Sequence, residues 1–340
     1  MSAELVERLR AMRVTDVVVW GLRTNTHSHH YIHRGVFTCF AALAGRAGVR
    51  VHWYDDLPLR RPIRRPNRRR RNYLIFASPH YDADRHVPLV DDARYILHAD
   101  WSRSWTSKRT IDQYGGHADS GRAVYWRVFR GFPPPGDGFE PLAADELTFF
   151  NPSQRRLLMP WATDLLPRQV NTSIQYVERR FRACTLFPGN RVLFVGSVWA
   201  RNEAVMRRFG AACRRHGLDF AVERIDGMDE LIAATRESYM APAIQGEGHR
   251  KNVHEFYLPC RILKNISYGA LGVTNNPGVH DLFGKRLIYA EDEDLLLGRY
   301  AARVARFGQS ALEDMIDLME LVRERHTYVN RLTHCLRQLN

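Results

Sequence analysis

The chain has 340 residues, of which 45% are hydrophobic and 26% charged, a globular composition long enough for one large or two mid-sized domains. Lys and Arg number 50 against 37 Asp and Glu, a net charge of +13 that favours an anionic partner such as a phosphate, a nucleic acid or a membrane surface. No apolar run reaches the ~18 residues of a membrane span, and residues 1–13 form a charged amphipathic segment without a signal core, which predicts a cytoplasmic protein. Five dispersed cysteines with no CxxC pair argue against a disulfide framework and against a thiolate zinc site.

After the first helix, the β-branched run 14–20 (VTDVVVW) reads as a buried parallel strand. A polar loop, 23–35, holds His27, His29, His30 and His33. Apolar residues at helical spacing then predict a helix over 35–47, and 49–54 returns to strand, which makes one βαβ unit. The segment 73–77 (YLIFA) predicts a further strand and 93–97 a weaker one, the spacing of an open α/β sheet. The FPPPGDG stretch at 132–138 breaks regular structure, and the proline-bounded 157–167 reads as a crossing between lobes. A second βα system begins at 191, with a strand at 192–195, a turn at Gly196, a helix over 201–216 and a strand at 220–222. Farther on, a helix over 261–267 ends at Gly269 and is followed by a strand at 271–274 and a loop at 275–278.

Several groups are candidates for chemistry. Arg250 and Lys251 lie in a polar loop flanked by Gly246 and Gly248, where backbone amides and cations can converge on a diphosphate, or where a basic loop is simply solvated. His29 and His33 have the i, i+4 spacing of helical metal ligands, yet nothing nearby completes a zinc set. Asp82 and Asp84 fit the DxD spacing of two hard-oxygen metal ligands, a pattern that also arises by chance. Asp55 and Asp56 read better as a cap than as a catalytic pair, and Trp101 and Trp105 better as core than as stacking platforms. The stretch Arg60 to Arg71 packs eight arginines into twelve positions, so much of the net charge is local. It reads as a solvated loop, as a tether to an anionic membrane or polymer, or as a nucleic-acid patch. No GxSxG, GxxxxGK[ST] or GxGxxG pattern is present.

Taken in order, FVGSV (194–198), the helix opening at Arg261, GALGVTNNPGVHDLF (269–283), YAEDEDLL (289–296) and RHTYVNR (325–331) resemble the nucleotide-sugar half of the group 1 glycosyltransferases over roughly residues 190–340. That resemblance implies an α/β protein of GT-B architecture, two Rossmann-like lobes with a cleft between them. It implies an N-terminal acceptor lobe over 1–165, a donor lobe over 166–320 and a C-terminal helix over 321–340 that crosses back. The implied activity is transfer of a sugar from a nucleotide-diphosphate donor to a carbohydrate acceptor hydroxyl, with no cofactor and no divalent metal required.

Donor contacts are then expected from Gly196, Ser197, Arg201, Arg250, Lys251, Glu255, Arg261, Lys264, Asn265 and Ser267. Gly196 and Ser197 would lie under the phosphates, and Arg201 would open the helix behind them. The family usually has a glutamate three residues after the arginine. Here that position is Lys264, which donates and cannot accept, so it contacts a phosphate, or Glu255 serves the ribose. His29 or His30 is the expected catalytic group, acting as general base on the acceptor. Family membership points to retention at the anomeric carbon and a histidine base to inversion. A polyanion binder using the arginine run, or an inactive GT-B scaffold, is the alternative.

Overall fold

The computed structural model describes residues 2–20, 30–53, 72–77, 90, 92–98, 116–127, 156–196, 198, 200–246 and 258–340. The arginine run, the DxD triplet, Asp55, Asp56, Trp101, Trp105, His27 and His29 lie outside them. The described chain divides into two compact units: residues up to 127, 156–164 and 328–340 make the first, and 165–327 the second. Among the described residues no helix is long and apolar enough to cross a membrane.

The first unit is an all-parallel sheet of six strands in the order β2-β1-β3-β4-β5-β6. Its strands are β1 (Asp16–Trp20), β2 (Arg50–Trp53), β3 (Tyr73–Ala77), β4 (Arg94–His98), β5 (Ala123–Arg127) and β6 (Arg156–Leu158). Residues of both parities are buried in β1, β3 and β4, as a sheet covered on both faces requires. Sequence patterning finds these three, and misses β5 and β6. The AVYWR of β5 is as long as β1 but lies between Arg122 and Arg127, and β6 takes the first residues of the stretch read as a lobe crossing. Helix α1 (Ser2–Ala11) packs on α2 (His30–Ala47).

Helix α2 begins five residues before its expected start, so His30 and His33 belong to a helix and not to the loop. The polar first turn carries no apolar period to announce it. Farther along, Ile32, Val36, Cys39, Phe40, Leu43 and Ala47 form the inward stripe.

The chain's last helix, α10 (Tyr328–Arg337), belongs to this first unit. It starts at 328 because the helix before it continues to Arg325. The Tyr328 ring lies against Gly35 of α2, in space that a Cβ at 35 would occupy, and its centroid is 6.2 Å from that of Trp126. Arg331, fully buried, donates from Nε to the Pro160 carbonyl at 2.8 Å, and desolvation pushes its pKa down to about 9, so it stays protonated at neutral pH. Arg337 reaches both Glu4 carboxylate oxygens at 2.7 and 2.8 Å, and the Asn340 amide donates to the Gly121 carbonyl at 2.9 Å.

The second unit holds α3 (Pro167–Arg182), β7 (Arg191–Val195), α4 (Ala200–Arg215), β8 (Asp219–Glu223), α5 (Met228–Glu237), α6 (Cys260–Tyr268), β9 (Val273–Thr274), α7 (Pro277–Leu282), β10 (Ile288–Tyr289), α8 (Glu293–Ala305) and α9 (Gln309–Arg325). Two parallel pairs, β7 with β8 and β9 with β10, are joined through residues 240–244. That segment bridges β7 at Val192 with Met240 and β9 at Thr274 with Ala243. The lateral order is therefore β8, β7, 240–244, β9, β10, the same sequence of crossovers as the first five strands of the first unit. Both units are doubly wound, and in each the winding reverses beside the first strand, where such sheets take their ligands. The 275–278 stretch expected to be a loop already contains the first turn of α7, since Pro277 can open a helix and Asn276 caps it.

Asp16, 1% exposed at the start of β1, receives bonds from Arg50 (2.9 Å), His52 (3.0 Å) and Thr15 (2.9 Å). Burial raises its pKa, and these bonds outweigh burial, leaving the carboxyl below its usual range. Because the folded value is the lower one, the ionised carboxylate stabilises the fold above about pH 4 and loses that effect as pH falls through the folded value. Asp16→Asn should lower unfolding free energy at pH 7 by about 1–3 kcal/mol and flatten its fall between about pH 5 and 3, read by urea denaturation across pH.

Candidate functional site

At the carboxyl end of β7 the chain turns through Gly196, whose φ of +141° is open to glycine and strained for other residues. Its amide still pairs with β8, donating to the Glu223 carbonyl at 2.9 Å. Arg261, in the first turn of α6, reaches this turn. Its Nε donates to the Val195 carbonyl at 2.7 Å, and its guanidinium carbon sits 3.8 Å from the Phe194 ring centroid. A Cβ at residue 196 would run into that guanidinium. The ring's quadrupole and a neutral carbonyl thus hold a cation at the end of the strand, and neither cancels its charge.

Below Arg261, α6 is anchored by its other face. Ile262, Leu263 and Ile266 are buried, and Asn265 donates from Nδ2 to the Ala241 carbonyl at 2.7 Å. The helix closes on Gly269, in the left-handed region, whose amide returns to the carbonyls of Asn265 and Ile266. Lys264 is half-buried one turn from Arg261, on the same side of the helix. Ser267 is fully buried and donates to the Lys264 carbonyl at 2.9 Å.

Across the same strand ends lies a neutral network that the sequence reading did not single out. Asn275 and the Gln245 backbone exchange two bonds, Gln245 N to Asn275 Oδ1 at 2.8 Å and Asn275 Nδ2 to Gln245 O at 2.9 Å. The Asn276 amide group donates to Gln245 Oε1 at 2.6 Å, and its Oδ1 accepts from the amides of Gly278 and Val279. Asn202 of α4 accepts from the Gly246 amide at 3.2 Å. Gln245, Asn275 and Asn276 are at most 3% exposed, so this is a rigid, uncharged frame behind the turn. The Asn-Pro-Gly run at 276–278 was its one legible trace, as a helix cap followed by proline.

Of the expected donor residues, the structure brings Gly196 and Arg261 into direct contact and sets Lys264 beside them. Asn265 and Ser267 direct polar groups into the unit's own fold. Arg201 lies in the first turn of α4, its side chain outside the description, and Ser197, Arg250, Lys251 and Glu255 lie outside the described residues.

In the first unit, His29 is outside the described residues, and His30 is the first residue of α2. His33 is 3% exposed and meets the Phe76 ring edge-on with centroids 5.7 Å apart. At the end of β4, His98 is buried and accepts at Nε2 from the Trp161 indole at 3.3 Å. An indole only donates, so this bond uses the lone pair of Nε2. Trp126 stands edge-on to both Phe76 and His98. Among the described residues no group of three or more His, Cys, Asp or Glu is placed to hold a metal ion.

No protein-family model and no curated protein matches the chain.

Gly196→Ala should cost about 1–3 kcal/mol from backbone strain alone. It should cost less in an Arg261→Ala background, where the added methyl no longer meets the guanidinium; additive losses in a double-mutant denaturation cycle would contradict that contact. Asn276→Ala removes a cap and the bond to Gln245 Oε1, an expected loss of about 1–3 kcal/mol in the same assay.

Proposed function

We propose that the chain is a GT-B glycosyltransferase in which the second unit binds a nucleotide-diphosphate sugar and the first presents a carbohydrate acceptor. The observation that supports this reading most directly is Arg261, held against Gly196 at the end of the first strand of a doubly wound sheet. A diphosphate needs a close backbone approach and a fixed positive charge, and a side-chain-free turn beside an anchored guanidinium offers both.

In this proposal Gly196 and Ser197 lie under the diphosphate and Arg261 and Lys264 neutralise it as it leaves. The amino end of α4, with Arg201, adds its dipole, and Arg250 and Lys251 contribute further positive charge to the phosphates. Charge developing on the leaving group is met by cations that need no reorganisation, which is where such a site gains rate. Glu255 takes the ribose hydroxyls, a role an ammonium at 264 is unable to fill. Asn265 serves the donor indirectly, by anchoring α6 through Ala241. The base that receives the acceptor proton is His29 or His30, and no metal takes part in the step.

Thermal denaturation against a panel of UDP-, GDP- and dTDP-sugars should show a rise with one nucleotide class, which Arg261→Ala abolishes. Arg261→Ala should also lower transfer by 10²-fold or more, the scale of losing one charge-stabilising donor. No rise with any donor, or an equal rise in the variant, would refute the assignment. Product stereochemistry by NMR separates a retaining from an inverting course.

A further inference from the structure

The second unit has a second recess, one strand length from Gly196 and at the opposite end of its sheet, about 13 Å away along the strand direction. It lies where residues 240–244 begin and where α3, α5 and α6 end, a shallow recess whose enclosed space is only about 10 Å³, so that anything larger than a water occupies its open mouth. Two arginines converge there on one aromatic ring. The guanidinium carbon of Arg236 is 4.2 Å from the Tyr176 centroid and that of Arg180 is 5.9 Å from it.

Every acceptor that these two cations have among the described residues is neutral. Arg236 donates from Nε to the Tyr268 carbonyl at 2.9 Å and from Nη2 to the Ser173 hydroxyl at 2.9 Å. Arg180 donates from Nη2 to the Thr185 carbonyl at 2.6 Å, while its Nε is buried and has no acceptor. No carboxylate lines the recess. Arg179 adds like charge, and burial together with that repulsion lowers the Arg236 pKa from its ordinary value. A position at the carboxyl end of α3 explains one half-buried arginine there. It does not explain a second arginine brought in from α5 and a buried N–H left without an acceptor, an arrangement that costs free energy until an anion fills it.

We propose that this recess is a binding site for a single phosphoryl group, free or carried on an ester, gripped between Arg180 and Arg236 with the Tyr176 ring as its wall. With Nε and Nη2 of Arg236 committed to Tyr268 and Ser173, its Nη1 is the donor left for a tetrahedral oxyanion, and Thr235 and Ser238 complete the lining. The site is separate from the Gly196 turn and stands whether or not that turn binds a sugar donor.

The test is calorimetric titration of the full chain with inorganic phosphate and with glycerol phosphate at constant ionic strength, sodium chloride serving as the control. Phosphate should still bind in Arg261→Ala, where the contact proposed at the Gly196 turn is removed, and the effects of Arg180 and Arg236 changes are read in that background. Affinity should fall at least 10-fold in Arg180→Gln, a change at a half-buried helix end whose folding is checked by circular dichroism. Arg236→Lys, which keeps the charge and loses the fork, should weaken binding as well. Tighter binding of glycerol phosphate assigns the site to an ester, and tighter inorganic phosphate to the free anion. Absence of binding at 10 mM, on the order of the weakest useful affinity, overturns the proposal. Binding unchanged in Arg180→Gln, or lost in Arg261→Ala, overturns it too.

Discussion

The guanidinium of Arg261 occupies the space where a side chain on residue 196 would have to be. That mutual exclusion fixes much else. The turn after β7 must be glycine, α6 must start where its first turn can reach back to the Val195 carbonyl, and Phe194 must offer a flat face beneath the cation. None of these three demands is large alone. Together they leave one arrangement in which a guanidinium is held in a fixed place at the end of a strand.

Around that charge the unit uses neutral chemistry. The bonds among Gln245, Asn275, Asn276 and Asn202 are amide to amide or amide to backbone, so they position loops without adding a competing field. Asn275 acts as a substitute strand neighbour: its carboxamide continues the parallel pairing one step past the end of β9. That frame carries no titratable group, so its bonds are independent of pH across the physiological range.

How far the sequence foretells this depends on what each residue is doing. Strands buried on both faces, such as VVVW in β1, YLIFA in β3 and VLFV in β7, are legible because uninterrupted β-branched and aromatic runs have few other uses. The start of α2 is not, since its histidine-rich first turn carries no apolar period, while β5 is flanked by arginines and β6 has only three residues. Glycine at 196 and arginine at 261 can each be picked out, but their contact spans 65 positions and depends on how α6 docks. The Asn-Gln frame was least visible, because amides serve loops and caps everywhere, and only the three-dimensional pairing tells these from the rest. Likewise His33 reads as polar in the chain and proves to be a core residue wedged against Phe76.

The seating of Tyr328 against Gly35 bears on how the molecule is made. The first unit owns both the beginning of the chain and its final stretch, with the whole of the second unit inserted between. A ribosome that has finished the six-stranded sheet has still not supplied the ring that covers Gly35, the buried Arg331 or the partner of Glu4. That sheet must wait, partly uncovered, through the synthesis of more than a hundred further residues, while the inserted unit has all its parts in hand and can close first. The order of completion is thus the reverse of the order of synthesis.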